Sequence, residues 1–255
     1  MNDSLLSSAF SLPHLGAIVV TGPDARTYLQ GQLSFDMDTL TPSRMELASC
    51  NSSQGRVQAL LWMIERPEAV VLILPIEMVD MTVARLRKYV LRSKAKIESA
   101  ANRWVIGGSF THLDAAPRTH RQQADLSPVA WPGSTGRTLL VAPSDSSLRD
   151  DPSSQERWRL ADIEAGLPQV YAPTHERFVA QMLNVDLLEG ISFQKGCYTG
   201  QEIIARTHFR GTVKRRMLRF SASCPRPAPG TRVVGADGEH AGDVVDAAGT
   251  SAGCE

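Results

Sequence analysis

The stretch Lys195-Gly196-Cys197-Tyr198-Thr199-Gly200-Gln201-Glu202 gathers a cation, a thiol, a phenol, an amide and a carboxylate into eight residues containing two glycines. One reading is local. Thr199 as N-cap and Glu202 at N3 have the form of a capping box that opens a helix. That accounts for Thr199, Glu202 and the glycines, and leaves Lys195, Cys197 and Tyr198 without a role. The other reading is chemical. Cys197 then lies just outside a helix N-terminus, where unpaired N–H groups and the macrodipole favour an anion. Lys195 adds positive charge, and both effects raise the thiolate fraction. Such a sulfur attacks an electrophile, exchanges disulfides or donates to a metal, and spacing alone does not choose among these.

Other residues carry a similar double reading. Trp158 fits a helix core, and its flat ring also suits stacking on a heteroaromatic ligand. Gln181 and Asn184 offer amides to a turn or to a ligand. Arg206, His208, Arg210, Lys214, Arg215, Arg216 and Arg219 form a basic run after the motif. A solvated strand face is the simpler account of that run, and an anionic partner such as a polyglutamate tail or RNA is the alternative.

The elements that must hold these groups follow from pattern. Residues 15–20 read as a buried strand, and Thr21-Gly22-Pro23-Asp24 starts a helix that stops near Gly31. Strands are expected at 45–50 and 55–64, joined through a turn at Gly55, and at 69–74. Ile76, Val79, Val83, Leu86 and Val90 recur at steps of three and four, one apolar helical stripe. Further strands are expected at 94–98, 103–107 and 137–142, with 112–136 unassigned and 143–152 a linker. A helix from Ser154 ends at Gly166. Beyond the motif helix, ending near Gly211, residues 213–220 read as a strand. A hairpin with an Asp237-Gly238 turn follows. Strands and helices in this order indicate an α+β sheet layered with helices.

Composition bounds the function. At 255 residues the chain suits about two domains. Lys and Arg together equal Asp and Glu at 27 each, so no global charge argues for nucleic acid. Cys50, Cys197, Cys224 and Cys254 are far apart, with no C-x-x-C, so no structural metal site is expected. Few cysteines and no signal peptide point to the reducing cytoplasm. No apolar run approaches the ~20 residues that span a bilayer.

The motif resembles the Lys-Gly-Cys-Tyr-x-Gly-Gln-Glu signature of the YgfZ family, folate-binding proteins connected with iron–sulfur cluster maintenance and tRNA modification. Residues 21–24 with Tyr28-Leu29-Gln30-Gly31-Gln32, 163–168, 190–193 and Phe209-Arg210-Gly211 are also similar to family segments. The resemblance implies the fold of the glycine cleavage T protein: two interleaved ferredoxin-like α+β domains around a central folate channel, and a C-terminal β-barrel, here truncated. Residues 1–44 with 153–211 would form the folate-binding domain, 45–142 the second domain and 212–255 the partial barrel. It also implies a bound tetrahydrofolate or derivative, iron–sulfur enzymes or assembly factors and tRNA-modification enzymes as partners, and a monomer. Cys197 and Lys195 would be the catalytic pair. Trp158, Leu15, Gln181, Tyr198, Gln201 and Glu202 would contact folate, shaped by Gly196, Thr199 and Gly200. Trp158 matches a family tryptophan presented to folate, whereas Leu15 stands where some relatives have an aromatic ring. No position is assigned to the T protein's acidic folate contact, so aminomethyl transfer is not expected. A one-carbon transferase and a non-enzymatic RNA- or protein-binding scaffold are the rival readings.

Overall fold

The computed structural model describes residues 2–223 and 225–249, so Cys224 and Cys254 lie outside the described residues. A short helix, α1 (Asn2–Ser8), precedes β1 (Phe10–Ser11). A five-stranded antiparallel sheet then runs in the spatial order β3 (Glu46–Asn51), β4 (Val57–Arg66), β5 (Ala69–Pro75), β2 (Leu15–Thr21) and β6 (Lys96–Ser99). Strands β2 and β5 read as near-continuous apolar runs because both of their faces are covered, not just alternate residues. Gly16 shows how close the covering layer lies. A Cβ there would stand 2.6 Å from Ile76 Cδ1 and 2.8 Å from Val79 Cγ2. Those two residues open α3 (Val79–Arg87) and its 3-10 lead-in at 76–78. Of the expected stripe, Val79, Val83 and Leu86 are buried, and Ile76 is half exposed.

The second sheet has four strands, in the order β1, β7 (Trp104–Ser109), β9 (Arg137–Pro143) and β8 (Ser127–Trp131). The chain therefore leaves this sheet after β1, builds the other, and returns. The strand pairing crosses the expected boundary at 44/45. Strand β2, assigned to the first unit, pairs along its length with β5 and also with β6, both assigned to the second. Strands β7 to β9 of that expected second unit pair with β1 instead of with β3 to β6. Helix α4 (Pro152–Glu164) packs on the four-stranded sheet and begins two residues earlier than expected, because Asp151 Oδ1 caps Ser154 N at 3.0 Å and Pro152 suits the first turn. An aromatic ladder joins the sheets: Trp62 and Trp131 lie 5.2 Å apart, and Trp131 and Trp158 5.9 Å.

Helix α2 (Ala25–Gln30) and helix α5 (Gln201–Phe209) flank the motif. Past Gly211, the expected strand at 213–220 is absent among the described residues. That segment is tied down by Met217 N donating to Met182 O at 2.7 Å and by Arg216 on Asp186, with no partner strand to form a ladder. The Asp-Gly hairpin is present as β10 (Arg232–Val234) and β11 (His240–Asp243), with Gly238 at φ +79°.

Candidate functional site

The segment 190–200 is laced onto the loop that follows α2. Ser34 Oγ donates to Gly190 O at 2.5 Å, Ser192 N to Ser34 O at 2.9 Å, and Thr199 N to Gly31 O at 3.3 Å. Lys195 completes the lacing. Its Nζ donates to Gln30 O, Leu33 O and Phe35 O at 2.7, 2.8 and 2.7 Å. An ammonium has three protons, and all three are committed. The expectation that Lys195 serves the thiol is corrected accordingly. Its ammonium is a buried clasp between two loops, with Tyr198's ring centroid 5.1 Å away. Burial lowers its pKa to about 8, partly offset by Asp36 and Asp38.

The capping box does not form. Gly200 is the N-cap of α5, at φ +83°, and no side chain caps the helix. A Cβ at Gly200 would lie 2.5 Å from Ser52 O, so both the dihedral and the close approach of the β3–β4 turn require glycine there. Glu202 pairs instead with Arg206 at 2.8 Å on the helix surface. Cys197 therefore sits three residues before the N-cap, exposed, on a strand of loop whose Gly196 faces open space. Cys50, by contrast, is fully enclosed, and burial raises its thiol pKa.

Tyr198 turns inward. Burial pushes its phenol up to about 12, and its hydroxyl has no hydrogen-bond partner. Gln181 is also buried. Its Nε2 donates to Ile204 O at 2.7 Å in the first turn of α5, and its Oε1 has no partner. Both residues thus touch the start of one helix, since Gln201 N donates to Tyr198 O at 3.1 Å. Gln201 and Thr199 are partly exposed beside them.

Trp158 is not part of this group. It is 0 % exposed, with Phe10 edge-on at 6.1 Å and the Arg137 guanidinium 4.7 Å from its ring centroid. A Cβ on Gly108 would come within 2.8 Å of it. No ring face is left for a ligand, so the expected stacking contact is corrected to a core packing role. Leu15 is likewise buried in β2. The pattern of residues did not single out the cluster around Trp158. Asp162 Oδ1 accepts from Trp131 Nε1 at 2.7 Å and from Arg137 Nη1 at 2.8 Å. Burial pushes that carboxyl up to about 6 against the pull of Arg137. The signal was legible, for Asp162 lies one helical turn beyond Trp158 on the apolar face of α4.

Two adjoining open clefts, of about 310 and 380 Å3, share Arg66, Pro67 and Glu68. Neither is lined by Leu15, Trp158, Gln181 or any residue of 195–202. Among the described residues, no three His, Cys, Asp or Glu side chains are grouped to hold a metal ion, and no helix is long and apolar enough to cross a membrane.

Comparison with known proteins adds kinship to this geometry. The chain is 30% identical over 249 residues to the tRNA-modifying protein YgfZ of Yersinia pestis (strain Pestoides F), covering 90% of this chain and 76% of that protein. The protein of the same name from Edwardsiella ictaluri (strain 93-146) is 33% identical over 233 residues, covering 82% and 69%. No family model matches the chain. Among solved structures, the glycine cleavage system aminomethyltransferase T from Bartonella henselae superposes with a TM-score of 0.72 at 12% identity, over 96% of this chain and 76% of that one. At that identity the likeness speaks for the fold alone: the α+β architecture described above is that of the aminomethyltransferase T fold.

Proposed function

The chain belongs to the YgfZ family, and from that premise we propose that it is a folate-binding accessory to tRNA modification, acting in support of iron–sulfur enzymes through Cys197. One observation carries the reading. An accessible thiol stands in the same short segment as Tyr198, whose buried hydroxyl is unpartnered, and Gln181 offers a second unpartnered buried oxygen at the adjoining helix start. Buried polar atoms without partners are rare in folded proteins and want a ligand or water. A pterin edge alternates hydrogen-bond donors and acceptors, and so offers a partner to each of these atoms.

When bound, a tetrahydrofolate supplies the nitrogens that carry a one-carbon unit. In this proposal Gln181 Oε1 accepts a hydrogen bond from the pterin edge and the Tyr198 hydroxyl donates one. Gln201 and Glu202 contact the ligand from the first turn of α5. Gly196, Thr199 and Gly200 hold the loop that presents Cys197. Lys195 positions the loop and performs no chemistry, and Trp158 and Leu15 serve the core. Cys197 presents its sulfur at the surface for thiol exchange or transient contact with a client's cluster. The setting is the cytoplasm, with the protein acting as a monomer.

Equilibrium binding of 5-formyl-tetrahydrofolate to the intact chain tests this, with Gln181→Met and Tyr198→Phe as variants. The expected result is binding that weakens at least tenfold in each variant while the thermal midpoint stays within a few degrees. Absence of binding by the intact chain would remove the folate reading. The aminomethyltransferase T fold favours a second reading, a one-carbon transferase. Steady-state turnover with a defined one-carbon donor would establish it, and binding without turnover would exclude that donor.

A further inference from the structure

From Ile203 to Ala236 the chain carries eight Lys or Arg and no Asp or Glu, within a sequence whose formal net charge is zero. Some of these cations are accounted for. Arg206 pairs with Glu202, Arg216 with Asp186 and Arg226 with Glu156. Arg210, Lys214 and Arg215 are exposed and pair with no acid among the described residues. Aromatic rings precede them in the chain, Phe209 directly before Arg210. Phe193 and His208 are stacked, with centroids 3.8 Å apart and planes 15° apart. Phe209 meets His208 edge-on at 4.7 Å and is 68% exposed. His208 is itself exposed, so the stack ends in an open ring.

We propose that this corner, the Phe193–His208–Phe209 rings with Arg210, Lys214 and Arg215, is a contact surface for single-stranded RNA. A base–aromatic stack requires parallel planes at about the van der Waals spacing, which the Phe193–His208 pair already has, so an unpaired base extends the pile by one ring. The adjacent cations take the phosphates on either side of that base. An acidic protein would use the cations and leave the rings idle. A duplex would keep its bases out of reach of the rings. Unpaired bases joined by phosphates use both features. The surface does not involve Gln181 or Tyr198 and does not depend on folate. It rests on the tRNA-modification reading only for the choice of RNA over DNA.

The test is fluorescence anisotropy of a labelled single-stranded 12-mer RNA of mixed sequence with the intact chain, without folate. The expected result is binding whose logarithm falls linearly with log salt, a slope that Arg210→Gln reduces by about 0.7. His208→Ala with Phe209→Ala should weaken binding about five- to 150-fold with little change in that slope. Both positions are exposed, and an unchanged thermal midpoint shows that the fold survives. Three results would overturn the proposal. Heparin binding equally well, with the ring variant unaffected, would mean a polyanion surface without stacking. Dimerisation of the intact chain that the ring variant abolishes would mean an interface between copies. No RNA binding at low salt would mean neither. A DNA 12-mer of the same sequence binding equally would overturn the assignment to RNA and count against the tRNA reading, whereas loss of folate binding in Tyr198→Phe leaves this surface untouched.

Discussion

The interior around Trp158 and the segment from Ile203 to Ala236 use the same residue types in opposite ways. In the interior, Arg137 spends its guanidinium on Asp162, Pro132 O, Trp158 O and Ala161 O and also covers an indole face. In the outer segment Arg210, Lys214 and Arg215 pair with no described acid, and Phe209 and Phe220 are more than two-thirds exposed. A guanidinium buried with four of its five N–H groups engaged is a structural part, whereas one left in solvent is available to a partner. The lesson repeats at short range. Lys195 and Cys197 are two residues apart, one fully engaged inside and the other open to reagents.

Breaking the interior half should have the largest effect. Arg137→Met strips a buried carboxylate of its cationic partner, and should cost about 3–5 kcal/mol of unfolding free energy. Denaturant midpoints measure it, and a loss under 1 kcal/mol would mean that the cluster is incidental. Lys195→Met should cost about 2–4 kcal/mol, because three backbone carbonyls lose their donor. A stable Lys195→Met protein with an inert Cys197 would return the lysine to the chemistry.

His14 gives the comparison a pH axis. Burial lowers its pKa from 6.5 to about 4, with Arg159 adding to the shift and Asp246 and Glu156 opposing it. The folded state resists protonation that the unfolded state accepts. This stability is therefore present above pH 6.5 and is lost as pH falls from 6.5 towards 4. The loss should reach about 1–3 kcal/mol and vanish in His14→Gln, read from urea midpoints at pH 7.5 and pH 5. The smallest effects belong outside. Cys197→Ser and Arg210→Gln should each shift stability by under about 0.5 kcal/mol. Mass mapping after brief iodoacetamide treatment should find Cys197 labelled and Cys50 protected until the protein unfolds.

Much of this organisation was legible in residue order. The runs 15–20, 55–64 and 69–74 read as strands in residue order, and they became β2, β4 and β5, the second of them starting at Val57. Strand β8 was missed because residues 112–136 read as polar and broken by three prolines, and Pro128 among them falls inside the strand. It is tolerated since β8 is the edge of its sheet, pairing only with β9 among named strands. The strand expected at 213–220 fails for the converse reason, for its residues suit a strand and no neighbour among the described residues supplies the ladder. At the site, the exposed Cys197 and the glycine turn followed from the motif, while the role of Lys195 did not. Its partners lie 160 to 165 positions earlier in the chain, and sequence proximity pointed to the wrong neighbour. Trp158 could not be settled from its residue type, because a core ring and a stacking ring are the same ring.

The ladder of indoles has an optical consequence. All four tryptophans of the chain, Trp62, Trp104, Trp131 and Trp158, are at most 5% exposed, and three stand in a row spaced by 5.2 and 5.9 Å. Excitation absorbed by one of the three passes readily to the next, so their emission behaves as one blue-shifted signal from the junction of the two sheets. Parting that junction turns the glow red in a single step. Events confined to residues 203–236, where there is no indole, leave it dark to the spectrometer.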